Sequence, residues 1–161
     1  MSHTHSQLSA LEIPESMRVE HGAIHAALER ATAVAGRVGE AARALAKVLH
    51  PHFEREEQIA LPPLGLLAPL SRGEFNEAML DVLPMTDALR AELPRMLEEH
   101  VAIRAATTRL GEVAKAERNA SVVQLAEHLA MHAKSEEEMF YPAAVLVGEL
   151  VRARAEKHRV R

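Results

Sequence analysis

The stretch EHGAIHAAL, beginning at Glu20, returns as EHVAIRAAT at Glu99, and HFEREEQIALP, beginning at His52, returns as HAKSEEEMFYP at His132. The two halves of the chain thus repeat in register at an offset of 79 to 80 residues. In that register His21 falls on His100, His52 on His132, Glu56 on Glu136 and Pro62 on Pro142. The first histidine precedes the second by 31 residues in one half and 32 in the other. Each half therefore reads as a histidine, a helix hairpin and a His-x-x-x-Glu pair. A two-helix hairpin cannot bury its apolar face alone, so the repeated unit closes on its copy. This predicts an all-α, up-and-down four-helix bundle.

Composition agrees. The 161 residues are 48% hydrophobic but only 2% aromatic, with no Trp. A single domain of this size can bury a core, and one built of Ala, Leu and Val favours helices over sheets. Residues 1–12 read as a polar, disordered leading segment containing His3 and His5, residues 13–150 as the bundle, and 151–161 as a basic tail.

A first helix is expected from about Pro14, with apolar residues recurring at Met17, Ile24, Ala27, Leu28, Ala31 and Val34. A second covers Glu40 to Ala60, with Pro51 kinking it or rearranging its bonding. Leu61 to Gly73 reads as a loop, and Glu74 to Leu83 as a short helix. A third long helix spans Thr86 to Lys115 with a bend at Pro94, and a fourth spans Ala120 to Val147, bent at Pro142 and fraying into the tail. Met79, Met85, Met96, Met131 and Met139 read as core fillers.

The spacing carries chemistry. Residues four apart share one helix face, about 6 Å apart along the axis. His52 and Glu56 therefore point one way, as do His132 and Glu136, while His21 and His100 add one imidazole each from the other two helices. A single His-x-x-x-Glu pair is ordinarily a surface hydrogen bond worth a few tenths of a kcal/mol. Two such pairs in register, each with a further histidine, describe a buried site instead. Carboxylates are not buried there without cations. Imidazole suits Fe, Zn and Cu, and carboxylates can bridge two ions, so the set fits a di-metal centre.

Several classes are excluded or disfavoured. The chain has no cysteine, hence no disulfide, iron–sulfur cluster or thiol catalysis. A formal net charge of −4 gives no global nucleic-acid footprint. Arg152, Arg154, Lys157, Arg159 and Arg161 read as a solvated helix end in favourable register with the helix dipole, against a phosphate- or membrane-binding alternative. No charged-then-apolar leader pattern and no membrane-length apolar run are visible, which makes a cytoplasmic protein the default expectation. No nucleophile or acid–base set independent of a metal stands out.

The EH-x-x-I start, the H-x-x-x-EE-x-x-x-x-P stretch and the repetition of both resemble the hemerythrin-like HHE cation-binding domain, from about Glu15 to Val147. The resemblance implies a bundle with a di-iron centre held by His21, His52, Glu56, His100, His132 and Glu136. Oxygen-carrying members use a fifth histidine, four residues after the third-helix histidine; here that position is Arg104. His25, four after His21, is its mirror position and a candidate replacement, or else a hydrogen-bond donor behind the ligands or merely half-buried. The four-His, two-Glu set looks more like members that serve iron-cluster repair and nitric oxide response.

The implied cofactor is two non-haem iron ions (Fe2+/Fe3+) with an oxo or hydroxo bridge, and the implied partner is dioxygen, peroxide or nitric oxide. Non-catalytic iron storage, delivery or sensing, and a structural bundle with zinc or no metal, are the competing readings. His128 is expected behind the ligands and His50 exposed. Glu57 and Glu137, turned about 100° from the inner glutamates, are expected to meet ligand imidazoles or solvent. Tyr141, the one tyrosine, is expected in the core or at its rim; were it to reach the site it could ligate or donate a hydrogen bond.

Overall fold

A computed structural model describes residues 11–160. The expectations for residues 1–10, including His3 and His5, and for Arg161 lie outside the described residues.

The first helix, α1, spans Glu15–Thr32 and buries Met17, His21, Ile24, Leu28 and Ala31. Their alternating three- and four-residue steps trace one stripe along the helix. The second, α2, spans Arg37–Ile59 and remains one helix through Pro51. The turn between them is tight. A Cβ at Gly39 would sit 1.9 Å from the Val34 carbonyl oxygen, and Gly36 takes φ +79°, so the chain reverses here on glycines.

The connection that follows is more ordered than a loop. A 3₁₀ turn covers Pro62–Leu66, a five-residue helix α3 covers Leu67–Ser71, and a second 3₁₀ turn covers Glu77–Val82. Helix α4 then runs Leu83–Ala116, starting before Thr86 and unbroken at Pro94. The last bundle member is α5, Ala120–Ser135, a π-type segment Glu136–Phe140, and α6, Tyr141–Arg159. Asn119 caps α5 by accepting from the Val122 N–H. Around the bundle α1 lies beside α2 and α5, and α4 lies beside α2, α5 and α6.

Helix α6 extends through most of the expected basic tail because it has something to cover. Val147 and Val151 pack with Leu66, Leu70, Met79 and Val82 of the connection. Arg154 donates to the Glu74 and Leu70 carbonyls, and Arg152 to Asp87 at 2.7 Å, so two tail cations pin the helix to the body.

Both inner glutamates open an i→i+5 turn. The Leu61 N–H reaches the Glu56 carbonyl at 2.9 Å, and the Tyr141 N–H reaches that of Glu136. Pro62 and Pro142 follow directly. A proline in a regular helix lacks the N–H and clashes with the carbonyl four residues back; a wider turn relieves the clash. Thus Pro142 acts through a π-type insertion.

Two apolar clusters fill the bundle. One joins Ile24, Leu49, Phe53, Ile103 and Leu129, the other Met17, Ile59, Met96 and Tyr141. On each helix the histidines and inner glutamates fall between a member of the first cluster and a member of the second, so they form one polar layer between two apolar ones. Met79 and Met96 are core residues as expected, but Met131 and Met139 are 63% and 56% exposed. Met131 adjoins His132, and a side chain one residue from an inward-facing one turns about 100° away.

Candidate metal centre

The repeat brings its six residues together. His21, His52, Glu56, His100, His132 and Glu136 are each at most 2% exposed, and they are the only buried titratable His or Glu side chains among the described residues. One donor from each of His52, Glu56, His100 and Glu136 lies within 4.8 Å of all the others, and so does one from each of His21, His132 and Glu136. Two cation-sized donor sets therefore share Glu136. Glu56 also stands between them, with Oε1 3.0 Å from His52 Nε2 and Oε2 3.8 Å from His21 Nε2.

All four imidazoles turn Nε2 inward. The His52 and His100 Nε2 atoms are 2.8 Å apart, and those of His21 and His132 are 3.1 Å apart. Their Nδ1 atoms face outward, each toward a second carboxylate. Within its own half, His100 Nδ1 lies 2.8 Å from Glu137, and His21 Nδ1 lies 3.5 Å from Glu57, too far for a good hydrogen bond. Across halves, His132 Nδ1 lies 3.0 Å from Glu20 and His52 Nδ1 lies 2.7 Å from Glu99. Further groups hold these carboxylates: Arg95 donates to Glu99, Arg104 to Glu137, and His128 bonds Glu20. Arg104, at the position the family resemblance marks for a fifth histidine, thus acts on His100 indirectly through Glu137.

A proton on Nδ1, donated outward, leaves Nε2 as an inward lone pair. Four such lone pairs and two carboxylates then confront one another in an apolar shell, which is unfavourable without positive charge. Glu56 Oε2 and Glu136 Oε1 have no hydrogen-bond partner, although His132 Nε2 lies only 2.6 Å from the latter. The donors fit two cations.

Without metal, protons supply that charge. Burial opposes charging His100, but hydrogen bonds to Glu136, Glu56 and Glu137 outweigh it and raise its pKa to about 10. Burial likewise opposes charging His132, and Glu136 and Glu20 raise it to about 9. His52 is raised against its burial by Glu56 and Glu99. Glu136 would be pushed up by burial, yet the histidines around it hold it well below the ordinary carboxylate range.

Two further candidates remain. His25 lies outside both donor sets: it is half-buried, stacked on the His50 ring at 5.1 Å and edge-on to Phe53 at 5.2 Å, both residues of α2. Tyr141 is a core residue and also reaches the cluster. Its hydroxyl donates to Glu56 Oε1 and lies 3.0 Å from His100 Nε2 and 3.2 Å from His52 Nε2. Glu20 and Glu99, both in the repeated Glu-His step, carry a role that the helical spacing alone does not reveal.

A helical bundle with a layer of paired imidazoles and shared carboxylates is one that could hold metal cations in its interior. The sequence profile described as Hemerythrin HHE cation binding domain matches residues 12–144, and the chain belongs to that family. No curated protein and no solved structure gives a significant match. No helix among the described residues is long and apolar enough to cross a membrane.

Proposed function

We propose that the chain is a non-haem di-iron protein that binds or reacts with a small oxidant: dioxygen, peroxide or nitric oxide. The observation that carries this is the pair of donor sets meeting at Glu136, each with two inward imidazoles. Mixed imidazole and carboxylate donors suit iron, and a shared carboxylate suits two adjacent ions. Such an iron pair supplies electron exchange and a coordination position for a small ligand.

The chain's own residues do the rest. The outer carboxylates fix the tautomers of His52, His100 and His132 and raise their basicity. Glu56 and Glu136 neutralise part of the positive charge and tie the two positions together. The apolar clusters on either side exclude bulk water, so the centre favours small neutral ligands over hydrated anions.

Metal analysis and an optical spectrum of aerobically purified protein test this. The expected result is two irons per chain, with charge-transfer bands of an oxo-bridged ferric pair that change on reduction and addition of dioxygen, peroxide or nitric oxide. A colourless zinc protein would overturn the reading. A ferric spectrum that none of these oxidants perturbs would remove the reactivity.

A further inference from the structure

The two metal positions are built from equivalent halves, but one neighbour breaks the equivalence. Register with Tyr141 places Leu61 at the matching point of the first half. The phenol lies beside His52 and His100, with no counterpart hydroxyl for His21 and His132, where the ring of Phe53 stacks on His21 at 4.0 Å.

From this geometry we infer that Tyr141 supplies a fifth protein donor to the cation held by His52 and His100, making the two positions chemically unequal. The inference rests on the di-metal reading above. Donors at right angles around an ion with bonds of about 2.0–2.2 Å stand about 3 Å apart. Around the Tyr141 oxygen the separations are 3.0 Å to His100 Nε2 and 3.2 Å to His52 Nε2, with Glu56 Oε1 in closer contact; elsewhere in the same set they are 2.8 Å between those two nitrogens, 3.0 Å from His52 Nε2 to Glu56 Oε1, 3.3 Å from His100 Nε2 to Glu136 Oε2 and 3.9 Å from His100 Nε2 to Glu56 Oε1. The phenol oxygen therefore completes a polyhedron of donors.

In the metal-free chain the hydroxyl gives its proton to Glu56 and its oxygen can accept from the two imidazoles, so the same lone pairs are free to face a cation once those imidazoles lose their Nε2 protons. At 1% exposure no water competes for it. When a cation occupies the set, the phenolic proton would pass to bulk solvent, leaving Glu56 ionised and the Tyr141 oxygen as an anionic donor. The His21–His132 position, with fewer protein donors, is then the place for an external ligand.

The sequence makes the test clean, because Tyr141 is the only tyrosine. Resonance Raman excitation of the ferric-loaded wild-type chain should enhance tyrosinate ring modes under a visible charge-transfer band. Tyr141→Phe should lose both while retaining two irons, and the two Mössbauer quadrupole doublets should draw together. A wild-type protein that holds two irons but shows no tyrosinate modes overturns the inference and leaves the di-iron reading intact. A chain that holds no iron overturns both. Because the wild-type spectrum alone is decisive, a poorly folded variant does not rescue the idea.

Discussion

Glu20 and His132 come from opposite halves of the chain, and a 3.0 Å contact joins the Glu20 carboxylate to His132 Nδ1. Glu99 and His52 repeat it in the reciprocal sense at 2.7 Å. The repeated hairpins therefore exchange carboxylates: each half orients an imidazole of the other. The metal layer is thus complete only when both halves have docked.

Removing such a carboxylate should weaken metal binding without removing a ligand. Glu20→Ala and Glu99→Ala are expected to lower iron affinity about 10- to 100-fold, as loss of an orienting partner does elsewhere. Glu57→Ala should do least, because Glu57 is 3.5 Å from His21 Nδ1 and 44% exposed. Competition with a coloured chelator measures the order; equal losses in all three would refute it.

The inner histidines should divide by position. His52→Ala and His132→Ala disable different donor sets, so each is expected to fall below two tightly held irons per chain and to leave a different spectrum. His25→Ala should keep both irons and an unchanged spectrum, since its ring packs on His50 and Phe53. Elemental analysis checks all three. Two irons retained in His52→Ala or His132→Ala would strike that residue from the ligand set.

Acid and base should act oppositely on the metal-free and metal-loaded protein. In the metal-free chain His100 and His132 titrate at about 10 and 9, above the ordinary value of 6.5. Folding then binds protons, so their stabilising contribution is full below about pH 6.5 and is lost as pH rises through 9 to 10. The lowered Glu136 contributes in the other sense: its share is present above 4.5 and fades as pH falls through its depressed value. Metal binding instead needs unprotonated Nε2 and fails in acid. Melting curves should show the metal-free midpoint falling from about pH 7 to 10 and the loaded midpoint falling from about pH 7 to 5. Each tenfold excess of free metal over its dissociation constant adds about 1.4 kcal/mol. An unmoved midpoint on stripping at about pH 9 would mean that these residues hold no ion.

Gly148 sets how closely α6 approaches α4. A Cβ there would stand 2.2 Å from Thr86 Oγ1 and 2.6 Å from Thr86 Cβ. Gly148→Ala should therefore destabilise the fold by about 1–3 kcal/mol. Adding Thr86→Ala should relieve little, because the Cβ contact remains. Denaturant midpoints decide it; a midpoint within error of wild type would show that the helices move apart freely.

The inner six residues were legible because i, i+4 spacing survives folding and a repeat displays it twice. What the spacing could not show is what meets a side chain from another helix. Glu20 and Glu99 adjoin histidines in sequence, yet they serve imidazoles elsewhere, so no local periodicity marks them. His25 was placed by mirror symmetry with Arg104, and packing by Phe53 and His50 overrode the symmetry. Leu61, Leu64, Leu66 and Leu70 stand among prolines and a glycine, which read as a loop. Their burial against α6 gives the segment its order. The core position of Tyr141 is legible in the sequence, but its reach to Glu56 is not, because regular helical spacing carries no sign of an inserted residue.

That insertion has a geometric consequence. On a regular helix, five steps from Glu136 would leave residue 141 about 140° from the glutamate's direction. The i→i+5 turn takes up part of that rotation, and Tyr141 returns to the side of the metal layer. The same phase offset passes down α6 to Gly148. Deleting one residue between 137 and 140 would leave all six inner side chains in the chain, yet it would rotate Tyr141 off Glu56 and Gly148 off Thr86 together. Chain length in this short window is therefore a tuning variable in its own right: it sets the metal environment and the seating of the last helix by one shared angle.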